Sequence, residues 1–190
     1  MWTRPSSAEQ VLWTIGHSTR TVEDFIELLG AHDIRLLADV RVIPYSRRNP
    51  QFNTDTLGKS LEQAGIRYLT CGELGGRRKA QRDSINLGWR NTSFRGYADY
   101  MQTPPFWEAL EGLMEQATTT RTAIMCAEAV PWRCHRSLIA DAVVSRGWTV
   151  RHILTSDKAD PHHLTPFAAI RKDLVTYPAP ILPNVPLQLF

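Results

Sequence analysis

Five short apolar or β-branched runs, at 11–15, 36–40, 66–69, 122–126 and 149–153, punctuate the chain, and every gap between them is long enough to hold a helix. Runs of four or five such residues are too short for helices and suit strands buried on both faces. The gaps carry helical spacing. Val22, Phe25, Ile26 and Leu29 mark a first helix, with Thr21 and Asp24 as a capping-box-like start. Leu57, Leu61 and Ala64 mark a second, which Gly65 closes in a left-handed conformation. Phe94, Tyr97, Ala98 and Met101 mark a third, and Pro105 opens a fourth that buries Phe106, Leu110, Leu113 and Met114. A last helix, over about 134–146, turns Leu138, Ile139, Ala142 and Val143 inward and stops at Gly147. Strands alternating with helices predict an α/β fold: a mainly parallel central sheet of about five strands with helices on both faces, Rossmann-like and doubly wound. A distorted barrel is the alternative, because five strands do not fix their own order.

A length of 190 residues and a hydrophobic fraction of 43% suffice for one sizeable core, so a single domain is expected over 1–176. Within it, 72–92 has few apolar residues and reads as a long mobile insertion. From 177 to 190 the chain carries four prolines, which exclude a helix and imply an extended tail. Residues 1–10 show no basic-then-apolar leader and no apolar run approaches a membrane span, so a cytoplasmic protein without membrane contact is expected. Three cysteines, Cys71, Cys126 and Cys134, are too few for a secreted disulfide framework and read as thiols. The net charge is only +3, yet 18 of the 22 basic residues are arginine, whose planar fork suits phosphate and carboxylate.

In open parallel sheets, ligands bind beyond the carboxyl ends of the strands. Here those ends turn polar, as Gly16-His17-Ser18-Thr19, Asp39-Val40-Arg41, Thr70-Cys71-Gly72-Glu73 and Cys126-Ala127-Glu128. The fourth continues through Pro131-Trp132-Arg133 into Cys134-His135-Arg136 at a helix start. Unpaired amides and the helix dipole attract anions there, Arg133 and Arg136 add forked donors, and the same field lowers the pKa of a Cys134 thiol. His135 is the candidate base, although sequence neighbours on a helix point about 100° apart. The catalytic candidates are therefore Cys134, His135, Glu128 and Asp39, and the substrate-binding candidates His17, Ser18, Arg41, Ser46, Arg47 and Arg136. Plainer readings stand beside them: Cys126 as a packing thiol, Asp39 with Arg41 as a structural ion pair, and His162-His163 as solvated. No cofactor or metal is expected. Zinc on Cys126, Cys134, His135 and His17 is the alternative, but neither C-x-x-C nor H-x-x-x-H spacing occurs.

Taken in order, the motifs Ile15-Gly16-His17-Ser18, Asp39-Val40-Arg41-x-x-Pro44-x-Ser46-Arg47, Leu74-Gly75-Gly76-Arg77, Cys126-Ala127-Glu128 and Cys134-His135-Arg136 resemble the domain-of-unknown-function family DUF488. The resemblance spans about 12–153. It implies that these polar positions form a shared site, and it implies no particular reaction.

Three function classes remain. The first is an enzyme acting on a phosphate-bearing small molecule or nucleic acid. The second is a thiol- or metal-based redox or sensor protein using Cys126 and Cys134. The third is a non-catalytic nucleic-acid-binding module, with Arg77, Arg78, Lys79 and Arg82 as an extended phosphate contact and Trp89 and Phe94 for stacking. The C-terminal Leu187-x-Leu189-Phe190 resembles the terminal half of the peptide by which bacterial polymerases and repair proteins bind the sliding clamp, with Pro186 where the leading glutamine stands. That resemblance implies a link to DNA repair or replication; the alternative is a tail folded back over its own domain.

Overall fold

In the computed structural model, which describes residues 9–180, the five apolar runs all lie in one sheet. They form β1 (Val11–Gly16), β2 (Leu36–Asp39), β3 (Arg67–Thr70), β4 (Thr122–Cys126) and β5 (Thr149–Ile153), joined by a short β6 (Ala159–Pro161). The order is β3-β2-β4-β1-β5-β6, parallel throughout except for β6. The sheet is open, so the barrel alternative falls. Pro186, Leu187, Leu189 and Phe190 lie outside the described residues.

Helices α1 (Val22–Ala31), α2 (Thr54–Gln63), α3 (Thr92–Tyr100), α4 (Pro104–Thr119) and α5 (Arg136–Ser145) follow the predicted periodicities. Thr21 Oγ1 accepts from the Asp24 amide at 3.1 Å, which caps α1 as its sequence suggested. Gly65 and Gly147 adopt φ of 71° and 82° just past α2 and α5, a conformation that costs a residue with a Cβ.

The period-2 alternation of the strands divides the core into two layers. Trp13, Ile15, Leu37, Ala123 and Met125 face α1 and α2, where Phe25, Leu29, Leu57 and Leu61 are fully buried. Leu12, Ala38, Val40, Ile124 and Val150 face α3, α4 and α5. Each such fully buried Leu or Phe contributes about 1.5–3 kcal/mol. The third strand departs from expectation: β3 is the sheet edge and is largely exposed. A hairpin of β7 (Ala169–Arg171) and β8 (Leu174–Thr176) turns at Lys172 and Asp173, both at positive φ, and buries Val175 and Tyr177 against the α5 layer.

The connections place the site. The β1-to-β2 link passes β4, and the β4-to-β5 link passes β1, so the neighbours β1 and β4 send their helices α1 and α5 to opposite faces. At such a divergence a crevice opens beyond the strand ends. Among the described residues no helix is long and apolar enough to cross a membrane.

Candidate functional site

The loop from β4 to α5 is built by close approach. Gly16 lies so near the Glu128 carbonyl that a Cβ there would sit 2.0 Å from its oxygen, and the amides of His17 and Ser18 donate to the carbonyls of Cys126 and Ala127 at 3.0 and 2.9 Å. One 3-10 turn, Pro131–Arg133, then delivers Cys134 in an extended conformation (φ −132°, ψ 149°), and α5 begins only at Arg136. The sequence placed Cys134 inside the helix. Its extended backbone is what allows two consecutive side chains to meet, which a continuous helix forbids. The Ser137 and Leu138 amides are bonded to the carbonyls of Cys134 and His135, so the helix start is not the open set of donors expected for an anion.

Cys134 Sγ lies 3.5 Å from His135 Nδ1, and His135 Nε2 lies 3.2 Å from the Val40 carbonyl oxygen. A carbonyl only accepts, so Nε2 carries a proton, which leaves Nδ1 as the nitrogen that exchanges a proton with the thiol. The Cys126 sulfur completes a group whose three ligand atoms lie within 4.8 Å of one another. The hydrogen bond from the Cys126 thiol is the largest influence holding the Cys134 thiol on the acidic side; burial opposes it, and His135 and Arg136 assist. Giving that bond, together with burial, pushes Cys126 up.

These groups open on a cleft of about 320 Å³. Val42 and Ile43 after β2 and Phe94 and Tyr97 on α3 form its apolar walls; Arg77, Arg133 and Glu128 supply charge, and Arg41 reaches it from below. Arg77 and Arg133 are exposed, and among the described residues neither guanidinium is bonded or paired. Glycines set the far wall: a Cβ on Gly76 would sit 2.5 Å from His135 Nδ1, and one on Gly75 would sit 2.2 Å from Val42 Cγ2. Only glycine lets the 75–77 turn lie against the imidazole face.

Four of the candidates, Glu128, Cys134, His135 and Arg41, line the cleft. Glu128 is exposed and accepts from the Val130 amide at 3.1 Å. Asp39 is buried beneath, with Arg41 Nε and Nη2 on its two oxygens and the Tyr68 hydroxyl at 2.6 Å, the structural ion pair of the plainer reading. Arg41 Nη1 donates to His17 Nε2 at 3.3 Å, leaving the Nδ1 proton for the Ser18 carbonyl. His17 stacks on Phe52, and burial, helped by Arg41, lowers it to about 4. Arg136 is also buried; its Nη1 donates to Thr14 Oγ1 at 3.1 Å and its Nη2 to the Glu128 carbonyl. Most donors of both arginines are thus engaged with protein. Ser18 takes φ 52° at the turn after β1, Ser46 Oγ accepts from the Arg48 and Asn49 amides, and Arg47 is exposed.

The segment 72–92 is irregular but fastened. Arg78 covers the Tyr100 ring at 3.7 Å and donates to the Gly75 and Glu73 carbonyls. Asp99 accepts from the Gln81 amide, Ser84 and Asn86. Trp89 packs on Phe94, Phe167 and Tyr177 rather than standing free for stacking.

The sequence reading missed a buried polar chain behind the loop. Arg136 Nη1 donates to Thr14 Oγ1; Thr14 lies 2.8 Å from His152 Nδ1, His152 Nε2 lies 3.0 Å from His162 Nδ1, and His162 Nε2 lies 2.9 Å from Asp141 Oδ1. Asp141 can only accept, so His162 Nε2 donates to it, and a neutral His152 joins the two ends by accepting at one ring nitrogen and donating at the other. Burial lowers His152 to about 3, in keeping with that state. His162, expected in solvent, has a side chain only 6% exposed because it supplies the partner Asp141 needs. One signal was present: Asp141 stands within an otherwise apolar helix face, and a buried carboxylate demands donors.

A family model described as domain of unknown function DUF488 matches residues 21–143. No curated protein matches, and no solved structure matches.

Proposed function

Since the chain belongs to the DUF488 family, whose description assigns no reaction, we propose from the cleft that it is a cysteine-dependent enzyme acting on a phosphate-bearing substrate. The observation that carries this reading is the orientation of His135, with Nε2 tied to the Val40 carbonyl and Nδ1 facing Cys134 Sγ at 3.5 Å. Nucleophile, base and orienting group thus stand in sequence. In the first step the Cys134 proton moves to His135 Nδ1 and the sulfur attacks phosphorus. The S–P bond forms, the P–O bond to the leaving group breaks, and His135 returns the proton to the departing oxygen. Water, deprotonated by the same nitrogen, then cleaves the S–P bond and restores the thiol. Arg77 and Arg133 hold the substrate's charge at the rim, Glu128 lines the same cleft as a further acid or base, and the apolar walls suit a nucleoside or nucleic-acid base.

Two measurements test it: iodoacetamide labelling resolved by peptide mass, and turnover of a panel of phosphomonoesters, phosphodiesters and dinucleotides. Labelling of Cys134 ahead of Cys71 and Cys126, with turnover abolished by Cys134→Ala and weakened by Arg77→Gln or Arg133→Gln, is the expected result. Turnover retained by Cys134→Ala overturns the reading. The contact between Cys126 and Cys134 favours a second reading, a dithiol centre in which an external disulfide oxidises the pair. Rapid loss of both free thiols with oxidised glutathione, with no phosphoester turnover, selects it.

A further inference from the structure

We propose that Cys126, Cys134 and His135 also form a three-ligand site for a thiophilic divalent cation, zinc by preference, whose occupancy silences the thiol. This concerns regulation of the site described under Proposed function, but the binding itself stands on geometry alone. Zinc bonds of about 2.3 Å to sulfur and about 2.0–2.1 Å to imidazole nitrogen, at tetrahedral angles, require sulfur and nitrogen about 3.5 Å apart. Cys134 Sγ and His135 Nδ1 are 3.5 Å apart. Two sulfurs on one zinc lie about 3.8 Å apart by the same construction, and all three ligand atoms here fall within 4.8 Å of one another.

The surroundings agree. A metal-bound imidazole is held by a hydrogen bond from its other nitrogen, and Nε2 already donates to the Val40 carbonyl at 3.2 Å. The ring is further fixed by Gly76, which lies flat against it. Two thiolates and a neutral imidazole select zinc over calcium or magnesium, which prefer oxygen. All three residues line the cleft, which leaves a fourth position to water or to an anionic ligand. Loading replaces two S–H bonds by two S–Zn bonds and releases two protons to solvent. It also occupies the Nδ1 lone pair, so the base and the nucleophile are lost together.

The test uses the full chain, reduced and freed of metal. Zinc is titrated against a chromogenic chelator, and cobalt(II) is followed through its sulfur-to-metal absorption band. The expected result is one equivalent of zinc per chain, a cobalt band that zinc abolishes, and Cys134 protected from iodoacetamide by bound zinc. Cys126→Ser is expected to weaken binding by more than about 100-fold, because it removes a ligand where loss of a mere supporting group costs about 10- to 100-fold, whereas Cys71→Ser leaves it unchanged. Absence of the cobalt band in the unaltered chain overturns the proposal without any variant having to fold, as does equal weakening by Cys71→Ser. Either failure leaves the nucleophile to be decided separately, by labelling of Cys134 in metal-free protein.

Discussion

A single methyl group added at Gly76 tests whether the position of His135 governs the thiol. In Gly76→Ala the new carbon falls 2.5 Å from Nδ1, 2.7 Å from Cγ and 3.1 Å from Cε1 of His135. Ordinary carbon contacts lie at about 3.5–4.0 Å, so one partner retreats by about 1 Å. The 75–77 turn is held by the packing of Gly75 on Val42, by the Gly75 amide on the Gly72 carbonyl and by two bonds from Arg78. The ring is held by only two polar contacts, to Val40 and Cys134, so it is the ring that yields. A retreat of that size along the ring normal swings the in-plane Nδ1 lone pair off the sulfur and weakens the 3.5 Å Sγ–Nδ1 hydrogen bond. Losing a hydrogen bond to a charged group costs about 1.5–3 kcal/mol, which raises the pH at which the Cys134 thiol ionises by about one to two. The assay is the pH profile of iodoacetamide labelling at Cys134, carried from acid to neutral pH and read by peptide mass with Cys71 as internal reference. A folded Gly76→Ala protein whose Cys134 labelling keeps the pH midpoint of the unaltered chain refutes the reasoning.

Thr14→Val removes the hydroxyl that accepts from Arg136 and is hydrogen-bonded to His152 while nearly preserving volume; stranding two buried partners is expected to cost about 2–4 kcal/mol by urea unfolding, and an unchanged midpoint rules out the chain as a stabilising element. His17 is lowered to about 4 when folded, against 6.5 in the free side chain, so its neutral state contributes stability that is complete above about pH 6.5 and is lost as pH falls toward 4. The loss from this group is about 2 kcal/mol at about pH 5, and a His17→Asn variant whose stability falls just as steeply with acid contradicts the assignment. Gly112 on α4 has open space where its Cβ would lie, so Gly112→Ala is expected to raise stability by about 0.5–1 kcal/mol and to leave Cys134 labelling unchanged; any destabilisation counts against the packing described for α4.

The strands were legible because the sheet is buried on both faces where it matters, which writes itself into sequence as short unbroken apolar runs. β6 was not legible, since three residues ending in Pro161 carry no such signal, and neither was the exposure of β3, which follows from strand order rather than composition. The site was legible as an edge and as a loop. Cys134, His135 and Glu128 reach the cleft as their position after β4 suggested, but the roles of the arginines were not readable. An arginine in a motif looks the same whether its donors face a ligand or, like those of Arg136, a threonine and a backbone carbonyl. Likewise the glycines of Leu74-Gly75-Gly76-Arg77 suggested a flexible stretch, whereas they serve contact with Val42 and with an imidazole some sixty positions away.

The passage of the β1 and β4 connections across one another has a kinetic consequence. Val40 and His135 are 95 positions apart, Thr14 and Arg136 are 122, and Thr14 and His152 are 138. Contacts so distant along the chain form late, after the entropy of closing long loops has been overcome. A chain made from its amino end is therefore expected to carry Cys134 as an ordinary thiol until these contacts form, with His135 not yet held on the Val40 carbonyl. The thiol reactivity proposed for Cys134 is then expected only after β1, β2 and β4 have closed around the loop, which would spare an incomplete chain the unwanted disulfides that an early thiolate invites.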